Sequence, residues 1–178
     1  MISKRIGSHN SLSYIKPQWW FRILNWTTRC QSLNIKEQYK KGVRLFDIRL
    51  KWSKKRQDWV SGHGIATYDI DVWEIISYLN YVGGCTIRII LEKGDEDRFI
   101  SDVKDMLALF LDVEFICGRK KKGWVKLLPE LPEPELNHFY WTHDRWWKIP
   151  FPRVYAKRHN AENFEKANDE RWSLFDFV

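Results

Sequence analysis

Hydrophobic and polar positions switch period several times along the chain. Residues 43–50 alternate, with Phe46, Ile48 and Leu50 on one side and Leu45, Asp47 and Arg49 on the other, which predicts a strand. Residues 58–62 form a weaker strand pattern. Across 71–81, Val72, Ile75, Ile76 and Leu79 recur at helical spacing, and Gly83-Gly84 marks the stop. Residues 85–92 are rich in β-branched side chains and predict another strand. Residues 95–111 open with an acidic turn and carry the stripe Phe99, Val103, Met106, Leu107 and Phe110, the pattern of a helix packed on a sheet. A strand at 113–118 follows. Residues 118–137 hold the basic run Arg119, Lys120, Lys121 and Lys122 together with Pro129, Pro132 and Pro134, and read mostly as loop. Strand-like pieces return at 139–142 and 153–156, a short helix at 162–168 and a last strand at 173–178.

Repeated strand–helix units predict an α/β fold in which helices cover a parallel sheet. About eight strands suit a small, reduced TIM (β/α)8-type barrel. A length of 178 residues lies below the roughly 200 usual for that fold, so several helices must be short or missing. No repeat or linker divides the chain, and residues 1–178 read as a single domain.

The strands carry polar groups where a barrel interior should lie. If the apolar side of each strand meets the helices, Asp47 and Arg49 point into the lumen. So do Thr86, Arg88, Ile90 and Glu92 of residues 85–92, and Asp176 alternates with Phe175 and Phe177. Buried charge is costly unless it is paired or used. Barrel enzymes place their sites at the C-terminal strand ends, where most of these residues fall.

Composition narrows the class. Hydrophobic residues make up 44% and charged residues 30%, a globular balance. The net charge of +7 suits an anionic partner such as phosphate, nucleic acid or an acidic membrane surface. Eleven tryptophans include the adjacent pairs Trp19-Trp20 and Trp146-Trp147; indole serves cores and membrane interfaces alike. Cys30, Cys85 and Cys117 form no C-x-x-C pair, so they read as reduced, mostly core thiols. No secretory signal and no run of roughly 18 apolar residues is found. The expectation is a soluble, cytoplasmic protein.

Three segments carry the chemistry in order: Gly7-Ser8-His9-Asn10-Ser11, then Phe46-Asp47-Ile48-Arg49, then His63-Gly64, with Leu174-Phe175-Asp176-Phe177-Val178 closing the chain. This set resembles phosphatidylinositol-specific phospholipase C and its relatives, whose bacterial members carry "G-[ST]-H-[DN]-S", "F-D-I-R" and "H-G" in that order. The resemblance spans nearly the whole chain. It implies phosphodiester cleavage by a neighbouring hydroxyl, giving a cyclic phosphate. By the same resemblance His9 is the general base, His63 the general acid and Arg49 the phosphoryl anchor. Asp176 fixes the His9 tautomer, and Asp47 orients Arg49 or a histidine. Asn10, Glu92 and Arg88 are expected on the substrate side. Imidazole suits both proton transfers, because its unperturbed pKa lies near neutrality.

The same resemblance leaves the metal question open. Metal-independent members have aspartate where this chain has Asn10. Calcium-dependent members have asparagine there with further carboxylates, and Asn10, Asp47 and Glu92 would form that Ca²⁺ set. Arg49 stands in place of the fourth ligand, so no metal or other cofactor is expected. The expected partner is a phospholipid or another phosphodiester, with peripheral membrane contact through the Trp-rich segment 17–26 and no nucleic acid. A different lipid headgroup, a glycerophosphodiester, or a non-catalytic phospholipid- or nucleic-acid-binding protein are the alternatives. His138, His143 and His159 match no motif and read as surface or structural. The basic run reads as a solvated loop, with a place on the rim of the site as its alternative.

Overall fold

The structure is a computed structural model that describes residues 4–140 and 151–178. In chain order the elements are β1 (Ile6–Ser8), α1 (Ile35–Lys40), β2 (Leu45–Ser53), β3 (Asp58–His63), β4 (Ala66–Tyr68), α2 (Val72–Val82), β5 (Cys85–Lys93), α3 (Glu96–Leu109), β6 (Val113–Lys120), β7 (Val125–Lys126), β8 (Leu136–Phe139), α4 (Pro152–Lys166) and β9 (Trp172–Phe175). A 3₁₀ segment, Trp19–Thr27, lies between β1 and α1.

The central sheet runs β7-β6-β5-β2-β1-β9-β8 and curls into a half-barrel. From β6 to β8 the pairs are parallel. Among the described residues no ladder joins β7 to β8, so the barrel stays open there.

The alternation read from the sequence sets the two faces. Phe46, Ile48, Leu50, Ile87, Ile89 and Leu91 are buried in one cluster with the stripes of α2 and α3. Both helices start as their sequences require: Asp71 accepts from the Glu74 N–H and Asp95 from the Arg98 N–H, each capping an orphan donor of the first turn. The concave face has an apolar floor of Leu45, Ile116 and Leu174. Gly7 is required against that floor, because a Cβ there would stand 2.8 Å from Leu174 Cδ2 and 3.0 Å from Leu45 Cβ. Above the floor the concave face turns polar, with Asp47 paired in register to Arg88.

Three expectations are corrected. Residues 153–156 are not a strand but the start of α4, and the helix expected at 162–168 is the end of that same element. Val154 and Tyr155 carry β-propensity, which local context overrides. Pro152 in the first turn presets the helical φ. Only Pro152, Ala156 and Asn163 of α4 are buried, so no apolar stripe announced the helix. The loop expected at 118–137 contains β7 and the start of β8. The strand expected at 139–142 is met by the end of β8 at Phe139; residues 141 and 142, His143 and the Trp146-Trp147 pair lie outside the described residues.

Candidate active site

β1, β2, β5 and β9 end together, and each delivers a polar group to the same place. His9 follows β1, and its N–H donates to the Phe175 carbonyl at 2.9 Å. Its carbonyl accepts from Gln31 Nε2 at 3.0 Å, and the same Nε2 reaches the Phe175 carbonyl at 2.9 Å. One buried amide thus ties the ends of β1 and β9 together. Asn10 takes a left-handed backbone, φ 46°, which asparagine tolerates better than most residues. That turn aims its N–H at Asp47 Oδ2, 3.0 Å away.

Asp47 is wholly buried and serves as the anchor of the cations. Arg49 Nε and Nη2 donate to its Oδ2 at 3.1 and 3.0 Å, and Arg88 Nη1 donates to its Oδ1 at 3.3 Å. Burial raises the carboxyl pKa, but the Arg49 and Arg88 guanidiniums outweigh it and hold Asp47 below the usual carboxylate range. For Arg49, burial disfavours the charge while Asp47 more than restores it. Arg49 Nη2 also donates to His9 Nε2 at 2.8 Å, and His9 Nδ1 faces Asp176 Oδ1 at 2.7 Å. With an N–H donor on one side and a carboxylate on the other, the neutral ring carries its proton on Nδ1 and leaves Nε2 with a lone pair.

His63 arrives by a different route. The far half of β2 pairs antiparallel with β3, and β3 with β4. This side hairpin brings His63 over the strand ends. Lys51 Nζ donates to the Gly64 and Ala66 carbonyls at 2.7 Å each, while Glu92 Oε1 accepts from the Gly64 N–H. His63 Nδ1 lies 3.0 Å from the Thr28 carbonyl, so that nitrogen donates and Nε2 stays available. The two imidazoles stand 5.8 Å apart, centroid to centroid, with their planes perpendicular. Burial, then Arg49, depress both rings: His9 lies well below the ordinary imidazole value and His63 is pushed down to about 3.

These groups open on a cavity of about 760 Å³. His9, Arg49, His63, Arg88 and Asp176 line it. Asp47 lies behind them. Asn10 is buried with no hydrogen bond to its side-chain amide. Glu92 is turned to Lys121 Nζ at 2.6 Å. Of the donors expected for Ca²⁺, Asp47 is held by two guanidiniums and Glu92 Oε1 by an ammonium and a backbone N–H, which leaves only Asn10 Oδ1 and Glu92 Oε2 without a hydrogen bond. This is a poor fit to a cation that takes six to eight free oxygens. A different trio converges, His9, Cys30 and Asp176.

Sequence reasoning missed several wall residues. Tyr140 stacks on His9 with centroids 3.7 Å apart and planes 2° from parallel. Its hydroxyl lies 2.8 Å from Nδ1 of His138, which also lines the cavity. Both sit at the end of β8; Tyr140 falls within the strand expected at 139–142, but no local pattern marks either ring as facing the site. Arg119 and Lys121 of the basic run line the cavity too, the alternative position foreseen for them. His159 instead packs on Tyr155 within α4.

No family model and no curated protein sequence matches the chain. Solved structures do. Phosphatidylinositol-specific phospholipase C from Listeria monocytogenes superposes with a TM-score of 0.68 at 14% identity, covering 99% of this chain and 88% of that one. The F249X mutant of the Staphylococcus aureus enzyme gives 0.67 at 12% identity, over 97% and 85% of the two chains. Another S. aureus structure, described by the modulation of that enzyme's membrane binding, gives 0.64 at 13% identity, over 97% and 85%. The chain has the fold of the bacterial phosphatidylinositol-specific phospholipases C.

Proposed function

We propose that this chain is a metal-independent phosphodiesterase that cleaves a lipid-headgroup phosphodiester through a cyclic phosphate. The observation that carries the reading is the pair of perpendicular imidazoles, 5.8 Å apart, with the buried Arg49 guanidinium bonded to one of them. In the reaction, His9 Nε2 takes the proton of a hydroxyl neighbouring the phosphate. The freed oxygen attacks phosphorus, and the bond to the leaving oxygen breaks as His63 Nε2 supplies its proton. Arg49 turns its Nη2 from His9 to the phosphoryl oxygens, where charge accumulates in the transition state. Asp176 keeps the His9 proton on Nδ1 and stabilises the imidazolium formed. His63 is neutral in the empty site; the anionic phosphate offsets Arg49 and lets it take up the proton it must donate. Arg49 supplies the positive charge a metal would otherwise bring.

The lipid side of the reading rests on the cavity's rim. Trp19 and Trp20 are 78% and 55% exposed, and Ile23, Leu24 and Trp26 are exposed beside them. Leu24 also lines the cavity, so apolar surface runs from the site to the outside. Lys16 and Arg22 flank this surface. Indoles and cations together suit an anionic lipid interface. No helix among the described residues is long and apolar enough to cross a membrane.

The test is turnover on a panel of phosphodiesters, soluble inositol and glycerol esters and the corresponding lipids, followed by ³¹P NMR. The expected result is a cyclic phosphate from an inositol ester, lost in His9→Gln and His63→Gln. No turnover by the wild-type chain on any member, or full activity in either variant, overturns the reading.

A further inference from the structure

Cys30 has no role in the reaction above, yet it lies at its centre. One ligand atom from each of His9, Cys30 and Asp176 comes within 4.8 Å of the other two. All three residues are buried, and all three line the cavity, which gives them a path to solvent. The Asn10 amide is buried with neither Oδ1 nor Nδ2 in a well-formed hydrogen bond, and it stands beside the Cys30 thiol, whose pKa burial and the Asp176 carboxylate hold well above the ordinary value, so that a bound cation must displace the thiol proton. A buried amide without a well-formed partner calls for one, and its Oδ1 is an acceptor oxygen beside three converging donors.

We propose that His9 Nδ1, Cys30 Sγ and the Asp176 carboxylate, completed by Asn10 Oδ1, form an inhibitory site for a thiophilic divalent cation such as Zn²⁺. Thiolate, imidazole and carboxylate are the donors zinc takes, at about 2.0–2.3 Å. Those bond lengths separate tetrahedral ligand atoms by roughly 3.2–3.8 Å. The 2.7 Å contact between His9 and Asp176 therefore has to open by about 0.5–1.1 Å, and a pair as far apart as 4.8 Å has to close by about 1.0–1.6 Å. Ca²⁺ and Mg²⁺ prefer oxygen throughout and are excluded by the sulfur.

The protons balance simply. The thiol proton leaves to solvent, one per ion bound. The imidazole proton moves from Nδ1 to Nε2, and the ring stays neutral. There it meets the Arg49 N–H, which stood 2.8 Å from that nitrogen, so Arg49 retires onto Asp47. The lone pair proposed to accept the substrate proton is then gone. Inhibition rests on the reading of His9 as base; binding of the ion does not.

The experiment is titration of the metal-stripped full chain with Co²⁺, read by absorption. One ion should bind, with a thiolate-to-cobalt charge-transfer band in the near ultraviolet and tetrahedral bands in the visible, all bleached by Zn²⁺. Cys30→Ser should remove the charge-transfer band and weaken Zn²⁺ binding by at least about 10- to 100-fold, the loss that outer-sphere partners alone carry. Serine can keep the bond that Cys30 Sγ makes to the Thr28 carbonyl, so the variant should fold. Should Cys30→Ser not fold, Cys85→Ser/Cys117→Ser leaves Cys30 as the sole thiol, and the band must persist in it. A wild-type chain without the band, or a band surviving in Cys30→Ser, overturns the proposal. A chain that binds Co²⁺ this way but turns over no phosphodiester keeps the metal site and loses the reaction.

Discussion

Replacing Arg49 separates its two duties, holding Asp47 and meeting phosphate. In the structure it makes three charge-assisted contacts: Nε and Nη2 to Asp47 Oδ2 at 3.1 and 3.0 Å, and Nη2 to His9 Nε2 at 2.8 Å. Arg49→Lys keeps the charge but concentrates its donors on one nitrogen. An ammonium near Asp47 loses at least one of these bonds, and hydrogen bonds to charged groups are each worth about 1.5–3 kcal/mol. The expected destabilisation is about 2–4 kcal/mol. Arg49→Ala leaves the buried Asp47 with the Arg88 guanidinium, at 3.3 Å, and the Asn10 N–H, at 3.0 Å. Removing one partner of a buried pair costs about 3–5 kcal/mol, and Asp47→Ala/Arg49→Ala should be more stable than the sum of the single variants implies. On activity, loss of a donor aimed at developing negative charge costs about 100- to 1,000-fold in kcat; the Lys variant should fall between wild type and Ala. Urea unfolding reads the first effect, and initial rates on a soluble inositol phosphodiester read the second. An Arg49→Lys chain with wild-type stability and wild-type kcat would refute the account of the site.

Three other outcomes follow from the same geometry. His9 and His63 are depressed below the ordinary 6.5, so the unfolded chain binds more protons at acid pH. Stability is then full above about pH 6.5 and is lost as pH falls toward about 3, by up to about 1.4 kcal/mol per pH unit per histidine; urea midpoints at pH 7 and pH 5 should differ, and His63→Gln should shrink the difference. Trp19→Ala/Trp20→Ala removes exposed indoles, so its melting curve should match wild type while sedimentation with anionic vesicles drops; unchanged vesicle binding in the folded variant removes the lipid interface. EDTA should leave turnover intact or raise it slightly, and full loss restored by Ca²⁺ would overturn the assignment of positive charge to Arg49.

The sequence by itself determined whatever short-range pattern encodes. Alternation in 43–50 and 85–92 fixed which side chains of β2 and β5 face the helices, because the side-chain period in a strand is two. The stripes of α2 and α3 and their Asp caps were equally legible. So were His9, Arg49, His63 and Asp176, which lie in compact motifs at strand ends. The capping box of α1, Asn34 with Glu37, was also present in the sequence and went unread. Tertiary structure decided the rest. α4 has almost no buried face, so its helical state could not show as periodicity. Tyr140 stacks on His9, Gln31 ties two strand ends together and Cys30 stands beside His9 and Asp176 only because β1, β8 and β9 converge. Their partners lie more than 100 or more than 20 residues away along the chain, beyond any local pattern. The charge state of the site belongs to the same level: Asp47 holds two guanidiniums and the histidines stay neutral because burial and neighbours act through space, not along the sequence.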